Sequence, residues 1–138
     1  LLPVFKTGQP KQETGSIIIV VATDAPLLPH QLKRLTRRAA LGLAKVGGIA
    51  GNSSGDIFIA FSTANKGAAN RSSPRTLDML PNDHMDALFI ATIQATEEAI
   101  LNAMTSATTM TGINGNTVYA LPHERVKDIL KRYGRLES

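Results

Sequence analysis

Gly15-Ser16 stands directly ahead of the apolar run Ile17-Ile18-Ile19-Val20-Val21-Ala22. A hydroxyl residue at the mouth of a strand, preceded by a residue without a side chain, suits a self-cleaving precursor. Cutting the Gly15–Ser16 bond gives Ser16 a free α-amino group within reach of its own hydroxyl. Such an amine titrates at about pH 7.7–8.0, so near neutrality it can serve as general base. One residue then supplies both nucleophile and base. The same dipeptide also reads as an ordinary Gly-Ser turn into a strand, and alone it does not separate the two.

Ser54 and Asp56 form a second candidate group. They lie two apart, so in an extended segment their side chains point the same way, just before the apolar run Ile57-Phe58-Ile59-Ala60-Phe61. If the two apolar strands are neighbours, both residues reach the Ser16 end of the sheet. A hydroxyl and a carboxylate there can orient the Ser16 amine and hydroxyl through hydrogen bonds. The carboxylate also favours the protonated amine that forms during the reaction. The alternative is a loop whose Asn, Ser and Asp side chains satisfy local backbone groups.

Other chemistries find less support. The chain has no cysteine, which removes disulfides, thiolate metal sites and cysteine nucleophiles. His30, His84 and His123 each sit near a predicted helix start, far apart, without the spacing of metal ligands. No Gly-x-Ser-x-Gly supports a Ser-His-Asp triad. Gly51–Asp56 lacks the lysine of a phosphate-binding loop, and Asp24-Ala25-Pro26-Leu27-Leu28 lacks the glycines of a dinucleotide fingerprint. Neither a cofactor nor a metal is expected.

The elements that must position these residues follow from periodicity. Ile17–Thr23 and Ile57–Phe61 are apolar at consecutive positions and read as strands buried on both faces. Between them a helix is predicted from about Pro29 to Val46. Leu32, Leu35, Ala39, Leu43 and Val46 form its inner stripe, with Lys33, Arg34, Arg37 and Arg38 on a solvated face. Gly47-Gly48 ends it. Leu41, on the charged side, is a candidate contact with a neighbouring chain. Residues 62–81 read as a long loop, followed by a helix over about Asp83–Ala107 with Met85, Phe89, Ile93, Ile100 and Met104 near one face. Asn114-Gly115-Asn116 makes a turn before a short extended segment. A last helix starts at Pro122 or His123, buries Val126, Ile129, Leu130 and Tyr133, and stops at Gly134. Strands alternating with amphipathic helices give a layered α/β fold class. A parallel pair of the Rossmann type and a sheet packed on a second sheet with helices outside both satisfy the pattern.

With 138 residues the chain is long enough for one domain with a core, and its formal net charge is +4. The positive charge gathers in Lys33–Arg38 and in Lys127, Lys131, Arg132 and Arg135, which read as solvated helix faces. Four Phe, two Tyr and no Trp give no stacking platform beside them, so nucleic acid is not an expected partner. The longest apolar run is about six residues, against the roughly 20 a spanning helix needs, so no membrane partner is expected and the protein reads as soluble. Residues 1–15 have linker composition and are not a secretory signal. A cytoplasmic location is expected, with the periplasm as the alternative. A first residue other than Met points to a piece of something longer.

Taken together, Gly15–Leu28 and Gly51–Asn65 resemble the L-aminopeptidase/D-Ala-esterase/amidase family, which includes the β-peptidyl aminopeptidases; the likeness runs from Gly15 nearly to the C-terminus. The resemblance implies an αββα sandwich like that of N-terminal-nucleophile hydrolases, with different connectivity. It implies autoproteolysis between Gly15 and Ser16. Residues 1–15 would be the tail of a larger N-terminal subunit, and 16–138 the small catalytic subunit, part of a single larger αββα domain. Ser54 and Asp56 match a serine and an acidic residue that assist the nucleophile, the latter glutamate in some relatives. The larger subunit would be the partner that supplies most of the oxyanion hole, so this chain alone should be inactive. A homo-oligomer of such heterodimers, a tetramer, is also implied. The implied reaction releases an N-terminal amino acid from a short peptide, amide or ester through an acyl-enzyme on Ser16, without a metal. Two competitors differ in class. An acetyltransferase of the ornithine type shares fold and self-cleavage but uses threonine where Ser16 stands. A non-catalytic basic module would instead bind nucleic acid in a salt-sensitive way.

Overall fold

Runs of β-branched and aromatic residues favour a pleated, extended backbone, and Ile18–Thr23 (β1) and Ile57–Ser62 (β2) form strands accordingly. The computed structural model describes residues 15–136, so the expected linker lies outside the described residues apart from Gly15. These residues divide into two units, 15–100 and 101–136.

In the first unit β1 and β2 pair in parallel, from Ile18 opposite Ile57 to Thr23 opposite Ser62. Parallel neighbours need a crossover, and α1 (Pro29–Lys45) supplies it. Pro29 occupies the first turn, where a missing N–H costs nothing. Gln31 reaches back so that its Oε1 accepts the Leu28 N–H at 3.1 Å. The helix stops where Gly47 adopts φ +97°, a left-handed conformation open to glycine. The Gly48 N–H then closes on the Leu43 carbonyl at 3.1 Å.

A 3-10 turn at Asn82–His84 leads into α2 (Met85–Ser106). Leu27, Leu35, Met85 and Phe89 make the buried core, with Val21, Ala60 and Leu80 packed against it. The inner stripe of α2 differs from expectation. Met85, Phe89, Thr92 and Thr96 are buried, whereas Ile93 and Ile100 are half-buried and Met104 is exposed. Each threonine hydroxyl donates within the helix, Thr92 to the Leu88 carbonyl at 2.7 Å and Thr96 to the Thr92 carbonyl at 2.8 Å. Small satisfied side chains are needed here because α1 comes so close. A Cβ added to Gly42 would stand 2.6 Å from both the Ile93 carbonyl oxygen and Thr96 Cβ. Gly42→Ala should therefore destabilise by about 1–2 kcal/mol net, overpacking outweighing about 1 kcal/mol of helix propensity. A lower urea midpoint at unchanged slope is the expected reading.

The basic face of α1 is only partly solvated, which corrects the expectation for that cluster. Lys33 and Arg37 are exposed, but the Arg34 and Arg38 guanidinium carbons lie 4.9 and 3.7 Å from the Phe89 ring centroid. Stacking on the aromatic face holds the two arginines against the protein. Lys45 pairs with Glu97, and Leu41 is exposed.

Burial on both faces of the strands is also corrected. One face meets the helices. The other carries Ile18, Val20, Ile57, Ile59 and Phe61, exposed by 68, 59, 52, 50 and 46%. Among the described residues the helices cover a single face, so the second apolar face of a pattern typical of buried strands stays open. Residues 62–81 are mostly exposed, as expected of a loop. Asn65 and Asp78 close its neck: Asn65 Nδ2 donates to the Asp78 carbonyl at 3.0 Å, and the Asp78 N–H donates to Asn65 Oδ1 at 2.9 Å.

The second unit holds an antiparallel pair, β3 (Met110–Thr111) and β4 (Thr117–Val118), joined through a turn. Asn114 and Gly115 take φ of 60° and 71° there, residue types that tolerate the left-handed region. β3 escaped notice because two residues carry no periodicity. Its helix, α3 (His123–Arg132), does not bury the stripe expected of it. Ile129, Leu130 and Tyr133 are exposed, and Val126 is half-buried; within this unit the described residues leave the stripe uncovered. Among the described residues no helix is long and apolar enough to cross a membrane.

Candidate active site

Parallel pairing brings the leading ends of β1 and β2 together, and both candidate groups sit at those ends. The ladder extends back beyond β1 through the Ile57 N–H, which donates to the Ile17 carbonyl at 2.9 Å. Ser16 and the segment 54–56 thus become neighbours across 39 positions of sequence.

Three hydrogen bonds define the geometry. The Gly55 N–H donates to Ser16 Oγ at 2.9 Å. Asp56 Oδ1 accepts the Ile17 N–H at 3.1 Å and the Ser54 hydroxyl at 2.5 Å. Ser54 and Asp56 therefore lie side by side on one face, as the i, i+2 spacing of an extended segment provides. Neither side chain makes a hydrogen bond to the Ser16 hydroxyl. The pleat explains why: Ile17, Ile19 and Val21 turn toward the helices, while Ser16 follows Ile18 and Val20 on the open side. In the unbroken chain the Ser16 nitrogen belongs to a peptide bond, and the carboxylate takes the next amide along, that of Ile17.

Ser54 and Asp56 also look into a cleft of about 490 Å³, walled by Leu43 of α1, Ile49 and Phe58. Ala50 on its rim adopts φ +47°, an uncommon conformation for a residue with a Cβ. His30, His84 and His123 are all exposed. Among the described residues no group of three or more Asp, Glu or His is placed to hold a metal ion. The β1–α1 connection, though it forms a parallel crossover, carries no glycine.

Gly55 was missed from sequence. Its contribution to the group is a main-chain N–H, and residue type gives no sign of that. Its place between Ser54 and Asp56 was the one available clue.

Comparison with known proteins adds a family to this geometry. The chain is 52% identical over 125 residues to a β-peptidyl aminopeptidase of Sphingosinicella microcystinivorans, covering 90% of this chain and 32% of that protein. It matches the structure of the L-aminopeptidase D-Ala-esterase/amidase from Ochrobactrum anthropi, described as a prototype for the serine aminopeptidases and a variant of the Ntn hydrolase fold. That match has 46% identity and a TM-score of 0.80, covering 96% of this chain and 37% of that one. A β-aminopeptidase of Burkholderia sp. matches at 45% identity and a TM-score of 0.75, covering 86% of this chain and 35% of the other. The mixed α/β fold is thus shared with an Ntn hydrolase variant. The chain spans about a third of the length of the curated relatives it matches. The model of peptidase family S58 matches residues 3–118, and with a serine at the head of β1 held against the loop ahead of β2, the chain belongs to that family.

Proposed function

We propose that this chain carries the nucleophile of a self-cleaving serine aminopeptidase, with Ser16 as the attacking residue. The single observation that carries the reading is the place of Ser16: it heads the parallel pair, on the open side of the sheet, with Oγ in a hydrogen bond to Gly55. Cleavage of the Gly15–Ser16 bond turns the Ser16 nitrogen into an amine. That amine takes the hydroxyl proton as Oγ attacks the carbonyl of a short peptide, amide or ester. It then returns the proton to the leaving amine, and water releases the acyl group. The relatives are aminopeptidases by name, removal of an N-terminal residue fits this chemistry, and membership of a peptidase family supports it.

Ser54 and Asp56 assist in this reading. Asp56 anchors the backbone one residue past the nucleophile and lends negative charge to the end of the sheet where the amine forms. Asp56→Ala should reduce kcat/KM by about tenfold to a hundredfold. Asp56→Asn keeps an acceptor for Ile17 but removes the charge. A nearby carboxylate stabilises the ammonium form and raises the pKa of the amine, so its loss moves the rising limb of the pH–rate profile to lower pH. An unmoved limb would leave Asp56 a hydrogen-bonding role alone.

The larger N-terminal subunit enters on two grounds. The relatives are about three times as long as this chain. The open face of β1 and β2 is apolar enough to need covering. In this reading a second sheet from that subunit lies on Ile18, Val20, Ile59 and Phe61, completes the αββα sandwich and brings most of the oxyanion hole. Heterodimers so formed assemble further into a tetramer. Residues 1–15 end the larger subunit, and 16–138 form the smaller. Intact mass measurement of the expressed full-length protein tests the core of this: two polypeptides are expected, the smaller beginning at Ser16, and one unbroken chain with full peptidase activity would refute it.

A further inference from the structure

We infer that the main-chain N–H of Gly55 is itself a catalytic group, a donor that holds Ser16 Oγ and stabilises the negative charge this oxygen gathers during attack. The inference rests on the reading of Ser16 as nucleophile. Its ground is the 2.9 Å contact from Gly55 N to Ser16 Oγ. The peptide that carries the donor is fixed on both sides. Before it, the Ser54 N–H donates to the Gly51 carbonyl at 2.9 Å. After it, Asp56 holds the Ile17 N–H at 3.1 Å, and the Ile57 N–H holds the Ile17 carbonyl at 2.9 Å. A donor fixed before the reaction needs no reorganisation when charge appears. A Cβ at position 55 would meet Ser16 Oγ at 3.4 Å, an ordinary van der Waals contact, so this position abuts the reacting oxygen directly.

The electron count follows. Gly55 N–H occupies one lone pair of Oγ and leaves the hydroxyl proton free to depart. In self-cleavage a bond forms from Oγ to the Gly15 carbonyl carbon, and the C–N bond to Ser16 breaks. The hydroxyl proton ends on the Ser16 nitrogen. Water then splits the resulting ester, giving the Gly15 carboxylate and restoring the hydroxyl. On a substrate the same oxygen attacks and the amine carries the proton. In each attack Oγ passes from hydroxyl through alkoxide character to ester oxygen. A hydrogen bond to a charged oxygen is stronger than one to a neutral oxygen. The Gly55 contact is therefore strongest in the transition state, which is the condition for acceleration.

The test replaces single amides by esters in the full-length protein, using α-hydroxy acids at position 55 and, as a control, at position 63. Each ester removes one N–H; the Thr63 ester loses the bond to the Thr23 carbonyl, at the far end of the same strand pair from Ser16. The Gly55 ester is expected to slow both appearance of the smaller subunit and peptide hydrolysis by about tenfold to a hundredfold. The Thr63 ester should stay within about threefold of wild type although both lower the melting temperature. Equal slowing by the two esters, or none from the Gly55 ester, would overturn the inference. If the Gly55 ester does not fold, amide exchange decides: relative to the mature wild type, Gly55 exchange should rise by about tenfold or more in the unsplit Ser16→Ala chain while Ile57 exchange stays within about threefold, and an unchanged Gly55 rate, or an equal rise at both amides, would overturn it. A wild-type chain that never splits before Ser16 would instead remove the nucleophile reading itself.

Discussion

Ser16→Ala is expected to leave the full-length protein as one intact polypeptide with kcat/KM reduced about a thousandfold or more. The magnitude follows from a double loss. In the proposed mechanism the hydroxyl oxygen attacks Gly15 in self-cleavage and the substrate in turnover, so its removal abolishes the acyl intermediate in both. It also prevents formation of the α-amine, because the Gly15–Ser16 bond is never cut, and the general base disappears with the nucleophile. Ser16→Cys separates these effects, since a thiol performs the same acyl shift and the variant should still split. Intact mass and hydrolysis of an amino-acid p-nitroanilide report the two outcomes. An alanine variant that still divided at this position would assign the attack to another residue.

Gln31→Ala is expected to be the most damaging change away from the site, costing about 2–4 kcal/mol in urea unfolding. Gln31 is fully buried, and a buried amide is tolerated when its polar atoms are met. Its Oε1 takes the Leu28 N–H at 3.1 Å, while Nε2 donates to the Leu80 carbonyl at 2.7 Å and to Asn82 Oδ1 at 3.1 Å. The side chain thus ties the start of α1 to the segment that feeds α2. Alanine strands the Leu28 donor and the Leu80 acceptor and leaves a void where the amide was. Gln31→Glu preserves the volume but, when ionised, sets oxygen against the Leu80 and Asn82 oxygens. A buried carboxyl in that position prefers its proton, so its pKa rises on folding. Stability of this variant should then be greater at pH 5 than at pH 8 and fall as the pH rises through the folded-state value. Equal stability at both pH values would show that the pocket accepts the charge.

Much of the first unit was legible because local rules and tertiary packing agree there. The β-branched runs at 18–23 and 57–62, Pro29 near the start of α1 and the glycines that stop it each announce an element. The candidate residues were legible for a similar reason, since a hydroxyl next to Gly15 and a Ser-x-Asp spacing are chemical types visible in one dimension. The misreadings came where a side chain answers to something distant. Thr92 and Thr96 replace larger residues on the inner stripe of α2 because Gly42 lets α1 approach within Cβ distance. Arg34 and Arg38 are partly withdrawn from solvent because Phe89, about fifty positions on, offers a ring face.

By itself the amino-acid order determined the longer elements, the absence of cysteine chemistry and the residues able to attack or assist, since backbone propensity and side-chain functional groups are local properties. Tertiary structure alone decided that β1 and β2 run side by side in parallel, that Ser16 and Asp56 fall on opposite sides of the pleat, and that the Ser16 hydroxyl meets a main-chain N–H rather than the side chains of Ser54 and Asp56. Register and pleat arise from pairing between segments far apart in the chain. A backbone amide carries no residue type, so its aim becomes visible when the strand is built.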